Sequence, residues 1–103
     1  MAGTRRLYVV TRKDLKRGLK IAQACHVALE SPKKLPLTGE EIPYLIVLEV
    51  ENEERLDLLV QKAARMTTVI CFREPDLHNQ LTAVAFLGSD RTRSLTEGLR
   101  LAG

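Results

Sequence analysis

Apolar residues in this chain come in short runs divided by polar stretches, and the period within each run predicts an element. Leu7-Tyr-Val-Val-Thr11 is β-branched and aromatic, the signature of a buried strand. From Leu15 or Arg17 to Glu30 good helix formers predict a helix, which Ser31-Pro32 is expected to end because proline cannot donate to the helix ladder. Lys33 to Pro43, with Pro36 and Gly39 inside it, reads as a loop. Tyr44-Leu-Ile-Val-Leu-Glu-Val50 is a second strand. Asn52 offers an N-cap, Glu53 and Glu54 suit the first turn, and Leu56, Leu59, Val60 and Ala63 share one face of a helix to about Met66. A third strand is expected over Thr67 to Phe72, a polar loop over Arg73 to Gln80, a fourth strand over Leu81 to Leu87, and a last helix over Thr92 to Leu101. The order β-α-β-α-β-β-α implies an α/β fold, a mixed four-stranded sheet with helices on both faces, in one domain spanning 1–103.

The length of 103 residues suits a single core, and 45% apolar with 28% charged residues excludes a disordered or collagenous chain. No apolar run approaches the ~20 residues of a membrane-spanning helix, and no secretory signal is expected. Cys25 and Cys71 lie in apolar segments without metal-ligand spacing, so both are expected to be buried, reduced thiols in a cytoplasmic protein. Cys25 and His26 are adjacent and point about 100° apart on a helix, which excludes a nucleophile–base pair.

Charge changes the picture. Residues 1–34 hold nine Lys/Arg against two acids, whereas residues 35–57 hold seven acids and only Arg55. Such segregation favours a phosphate polyanion, bound through its backbone by Coulomb attraction and counterion release. Tyr8, Tyr44, Phe72 and Phe86 all fall in strand-like runs, where core packing is expected and an exposed base-stacking platform is not.

Candidate chemistry gathers on the first helix and after the third strand. Lys16, Leu19, Gln23, His26 and Glu30 form one stripe at steps of three and four. Gln23, flanked by Ala22 and Ala24, needs partners if buried. It reads either as half of a structural Gln23–His26 pair or as a cleft wall. Glu74-Pro-Asp76 follows the third strand, where either carboxylate is a candidate general base, and the hydroxyl of Thr82 opens the fourth strand close by. No Gly-rich phosphate loop, GxSxG elbow or HExxH motif occurs.

Val9-Val-Thr-Arg-Lys-Asp-Leu-Lys-Arg-Gly18 followed by Ala22-Gln-Ala-Cys-His-Val-Ala28 resembles the opening of the second class of peptidyl-tRNA hydrolases. Arg12, Asp14, Leu15, Lys16, Gly18, Ala22, Gln23 and His26 match that family in order. Cys71-Phe-Arg-Glu74 resembles the strand that ends in the family's catalytic aspartate, and Thr82-Ala-Val-Ala-Phe the strand that begins with its active-site threonine. The resemblance implies a cytoplasmic esterase that cuts the bond between a peptide and the tRNA 3′ ribose. Glu74, Thr82 and Lys16 would be catalytic, with Arg12, Lys13, Lys20, Gln23, His26 and Asp76 contacting substrate and no metal or cofactor required. It leaves a homodimer open. Two departures stand out: Glu74 replaces the aspartate, and Leu19 stands where the family has its lysine, leaving Lys16 or Lys20 as substitute. The alternative reading is an inactive RNA- or protein-binding module of the same fold.

Overall fold

The computed structural model describes residues 5–37 and 43–103. Its elements are β1 (Arg6–Arg12), α1 (Arg17–Lys34), β2 (Tyr44–Val50), α2 (Glu53–Ala64), β3 (Ile70–Glu74), β4 (Gln80–Leu87), α3 (Arg93–Thr96) and β5 (Arg100–Leu101), with one 3-10 turn at Pro75–Leu77. The strands form one mixed sheet in the order β3-β4-β1-β2-β5. β1 and β2 are parallel, and the other neighbours are antiparallel. Alternate residues of β1 feed two cores. Leu7 and Val9 pack beneath α1 with Val27, Ala83 and Ala85, while Val10 joins Leu56, Leu59, Leu81, Val84 and Phe86 beneath α2. No helix among the described residues is long and apolar enough to cross a membrane.

Several expectations need correction. Helix α1 does not stop at Ser31-Pro32 but runs one turn further. Pro32 removes only one ladder bond close to the helix end, the Leu35 N–H still reaches the Ser31 carbonyl at 2.8 Å, and buried Leu35 pins the terminus. The centre of the loop expected over Lys33 to Pro43, including Gly39, lies outside the described residues. The sheet has five strands rather than four. The expected last helix is cut to Arg93–Thr96 by Gly98, whose φ of 82° is left-handed, and the chain then pairs Leu101 with Leu48 and Arg100 with Glu49. Strand β3 starts later than Thr67, because Met66 and Thr67 both still donate to the Ala63 carbonyl at 2.9 Å and close the end of α2. Finally, Cys25 and Cys71 are free but exposed, and Tyr44 is 63% exposed rather than in the core. Cys25 falls off the buried stripe of α1, and Cys71 is on an edge strand.

One irregularity governs the site. Phe72 is opposite Ala83, but the next residue, Arg73, is opposite Leu81, so Thr82 is an extra residue in β4. A bulge of this kind flips the side-chain alternation. Ala83 and Ala85 face α1 and Val84 and Phe86 face α2, as period two demands, yet Leu81 also faces α2. Thr82 is thereby turned towards α1.

The backbone groups freed by the bulge are met by side chains from other elements. Thr11 Oγ1 donates to the Thr82 carbonyl at 2.9 Å, Arg12 Nη1 donates to the Leu81 carbonyl at 3.1 Å, and the Leu81 N–H donates to Glu53 Oε2 at 2.7 Å. Thr11→Val keeps the shape and leaves a buried carbonyl unpaired. It should lower stability by about 1–3 kcal/mol, read as a lower urea midpoint at unchanged slope.

Candidate functional site at the Thr82 bulge

Gln23 is the hub of the site. It is 3% exposed on the buried stripe of α1, and both ends of its amide are engaged. Thr82 Oγ1, fully buried, donates to Gln23 Oε1 at 2.7 Å, and Gln23 Nε2 donates to Glu74 Oε2 at 3.1 Å. The Thr82 hydroxyl also lies 3.3 Å from the Phe72 carbonyl, but its one proton serves the shorter bond. Three sequence candidates, Gln23, Glu74 and Thr82, thus meet in one chain of hydrogen bonds that runs from the bulge to a half-buried carboxylate. Glu74 Oε1 makes no hydrogen bond among the described residues.

The loop after Glu74 fixes the backbone of that residue. Pro75 starts the 3-10 turn, His78 and Asn79 adopt left-handed φ values of 55° and 60°, and the Asn79 N–H returns to the Glu74 carbonyl at 3.0 Å. Asp76, in that turn, is exposed and makes no hydrogen bond or ion pair with the site among the described residues. His26, one turn beyond Gln23, does not pair with it. Its exposed ring stacks on Phe72 with centroids 4.9 Å apart and planes 5° off parallel. The Gln23–His26 pair is therefore corrected to two separate contacts, Gln23 to the bulge and His26 to β3.

The basic candidates divide into engaged and open groups. Arg12 is 7% exposed, and its guanidinium forks onto Asp14 with two 2.9 Å bonds while also donating to Gln80 Oε1 at 2.9 Å. That guanidinium holds the Asp14 carboxyl below the usual carboxylate range, chiefly through the hydrogen bond. Lys20 is buried and ion-paired with Glu49 at 3.1 Å, and it donates to the Gly103 carbonyl at 3.4 Å. Arg12 and Lys20 are structural anchors here, not open contacts for a substrate. Lys13, Lys16 and Arg17 are exposed at the start of α1, which has no side-chain cap and no acid in its first turn. Lys16 sits seven residues before Gln23, about 10 Å along the helix axis.

Sequence reasoning missed Thr11, Glu53 and Phe72. Thr11 and Glu53 act only because the bulge frees backbone groups near them, and a strand-like run marks Phe72 for packing without showing that His26 stacks on it. Among the described residues, no group of three or more His, Cys, Asp or Glu is placed to hold a metal ion.

No family model matches this chain, and no curated protein does. The fold is similar to a solved structure of a protein of unknown function, Atu0240, from Agrobacterium tumefaciens strain C58. The match has a TM-score of 0.72 at 15% identity and covers 99% of this chain and 100% of that one. At that identity the likeness shows the architecture alone.

Three outcomes follow from these contacts. Gln23→Ala should cost about 1–3 kcal/mol, since it strips the buried Thr82 hydroxyl of its better acceptor, and thermal unfolding reads it directly. Burial alone would raise the Glu49 pKa, but the Lys20 hydrogen bond and charge, the Gly103 backbone and Lys13 together bring it below its usual value. A lowered folded-state pKa means that this stabilisation is present above the unfolded carboxylate range and is lost as pH falls through the folded value. Urea midpoints should therefore drop on going from pH 6 to pH 3, and less so in the Lys20→Met/Glu49→Leu double variant. Glu49→Leu alone, which leaves the Lys20 charge buried, should cost about 3 kcal/mol at neutral pH.

Proposed function

We propose that this chain is a peptidyl-tRNA hydrolase-like esterase, with Glu74 as its general base. The observation that supports this most is the Thr82–Gln23–Glu74 chain. It ties one carboxylate oxygen to the scaffold, leaves Oε1 open to water, and joins three of the residues that the family resemblance names, two of them as catalytic. In the proposed reaction Glu74 takes a proton from water as the water oxygen attacks the ester carbonyl. The oxyanion collapses with cleavage of the bond to the ribose 3′ oxygen, which receives the proton from Glu74. Thr82 is a positioning residue, because its buried hydroxyl acts through Gln23. Lys16 would stabilise the oxyanion, since Lys20 is fixed on Glu49. Lys13 and Arg17 would meet tRNA phosphates beside the uncapped N-terminus of α1.

A second reading, an RNA- or protein-binding module without hydrolysis, is favoured by one observation: Lys20 is locked in an ion pair and Leu19 replaces the family lysine, so no ammonium is bonded to Glu74.

Release of an N-acetylated amino acid from charged tRNA separates the two. The esterase reading expects turnover at micromolar protein, reduced about 100-fold or more in Glu74→Gln with a melting temperature within a few degrees of the parent. Salt-sensitive binding of uncharged tRNA with no release would establish the module instead. An active Glu74→Gln protein would remove Glu74 from the mechanism.

A further inference from the structure

At the other end of β1 from the bulge lies a cavity of about 280 Å³, lined by Arg5, Arg6, Tyr8, Ser89, Asp90 and Arg93 around Gly88. Its construction depends on Gly88. The Gly88 N–H donates to the Arg6 carbonyl at 2.8 Å, which brings the β4 backbone close against the aromatic wall. A Cβ at position 88 would sit 2.5 Å from Cε2 of Tyr8 and 3.4 Å from Cβ of Arg6, so any side chain must displace the ring. Three guanidinium groups and one carboxylate line this space. Arg5 donates to the Pro36 carbonyl at 2.6 Å. Arg6 and Arg93 are exposed, and neither side chain makes a hydrogen bond or ion pair among the described residues. Asp90 does not pair with Arg93, although the two line the same space. The cavity thus presents an excess of positive charge with two open guanidinium forks, the geometry that matches phosphate oxygens.

We propose that this cavity is a second phosphate site, gripping the backbone of an RNA bound at the Glu74 end of the sheet. The inference rests on the proposed RNA binding but not on hydrolysis. β1 separates the two ends by about 20 Å, which spans roughly six phosphates of one strand of a duplex. A polyanion can therefore reach both ends at once, whereas a small phosphorylated metabolite cannot.

The test is binding of uncharged tRNA to Arg6→Gln/Arg93→Gln between 50 and 200 mM salt, beside Lys62→Gln/Arg65→Gln on α2 as a control of equal charge. The inference expects about 10-fold weaker binding for the arginine pair, a salt slope smaller by about 1–2, and little change for the control. Equal losses in both double variants, or no loss in either, would overturn it. Amide shifts at Gly88 and Ser89 on titrating the unmodified protein with an RNA hexamer give a second readout, independent of any variant, and their absence counts against the site. Shifts produced by inorganic phosphate but not by the hexamer would assign the cavity to a free phosphate compound and overturn the RNA assignment. Cleavage of an N-acetyl-aminoacyl-adenosine, which lacks the RNA backbone, should be the same in the arginine variant as in the parent. Failure of that cleavage in both proteins would sink the esterase reading and leave the phosphate site standing.

Discussion

The extra residue in β4 is the constraint from which the site follows. A regular strand would leave Thr82 on the α2 face with Val84 and Phe86, its hydroxyl buried among apolar residues such as Leu56 and Leu59. The bulge turns it to the α1 face and exposes three backbone groups that a sheet would otherwise pair. Side chains from β1 and α2 satisfy all three, so the irregularity is cross-braced by Thr11, Arg12 and Glu53. Arg12 in turn is held by Asp14 and Gln80. Arg12, which reads as a substrate contact in the linear motif, thus serves the backbone of the bulge.

Helix α1 has two different flanks. Gln23 and His26 face β4 and β3, while Lys20 and Ala24 border a pocket of about 520 Å³ that also includes Val47. Lys20, Gln23 and Ala24 are all buried, so one turn of helix closes over an ion pair on one side and, on the other, a hydrogen-bond chain that ends on the Glu74 carboxylate. The ion pair is costly to desolvate and is made tolerable by extra partners, with Lys20 also bonded to the Gly103 carbonyl. This explains why Lys20, a basic residue one turn before Gln23, belongs to the scaffold.

The sequence made most of this fold legible. β1, β2, α2 and β4 follow from β-branched runs, an Asn52 cap and a helical apolar stripe, and they appear close to where the pattern puts them. Elements set by tertiary contacts were not legible. β5 is a two-residue pairing that exists because Gly98 reverses the chain and β2 offers an edge. Pro32 lacks the ladder donor, yet that loss does not end the helix at Ser31-Pro32, because one missing bond near the terminus is outweighed by the packing of Leu35. Within the site, Gln23, Glu74 and Thr82 could be named from spacing and family resemblance. The face of Thr82 could not, because a bulge changes parity without any local residue signature, and the Glu49 partner of Lys20 comes from a strand 29 positions away.

Charge and chemistry occupy different parts of α1. The open cations, Lys13, Lys16 and Arg17, cluster at its start, and the carboxylate lies beside Gln23 almost two turns on. Glutamate at position 74 brings one more rotatable bond than aspartate, and a free carboxylate on that longer arm would sample many positions. The Gln23 bond removes that freedom at one oxygen while leaving the other open, and the buried Thr82 hydroxyl fixes which way the Gln23 amide points. Attraction of a polyanion depends on summed charge and tolerates displacement of any one cation by several ångströms. Proton abstraction tolerates almost none. On the proposed function, substitutions at the start of α1 would therefore tune affinity gradually, whereas loss of one hydrogen bond at Gln23 would uncouple the carboxylate from the scaffold without altering the charge at the start of the helix.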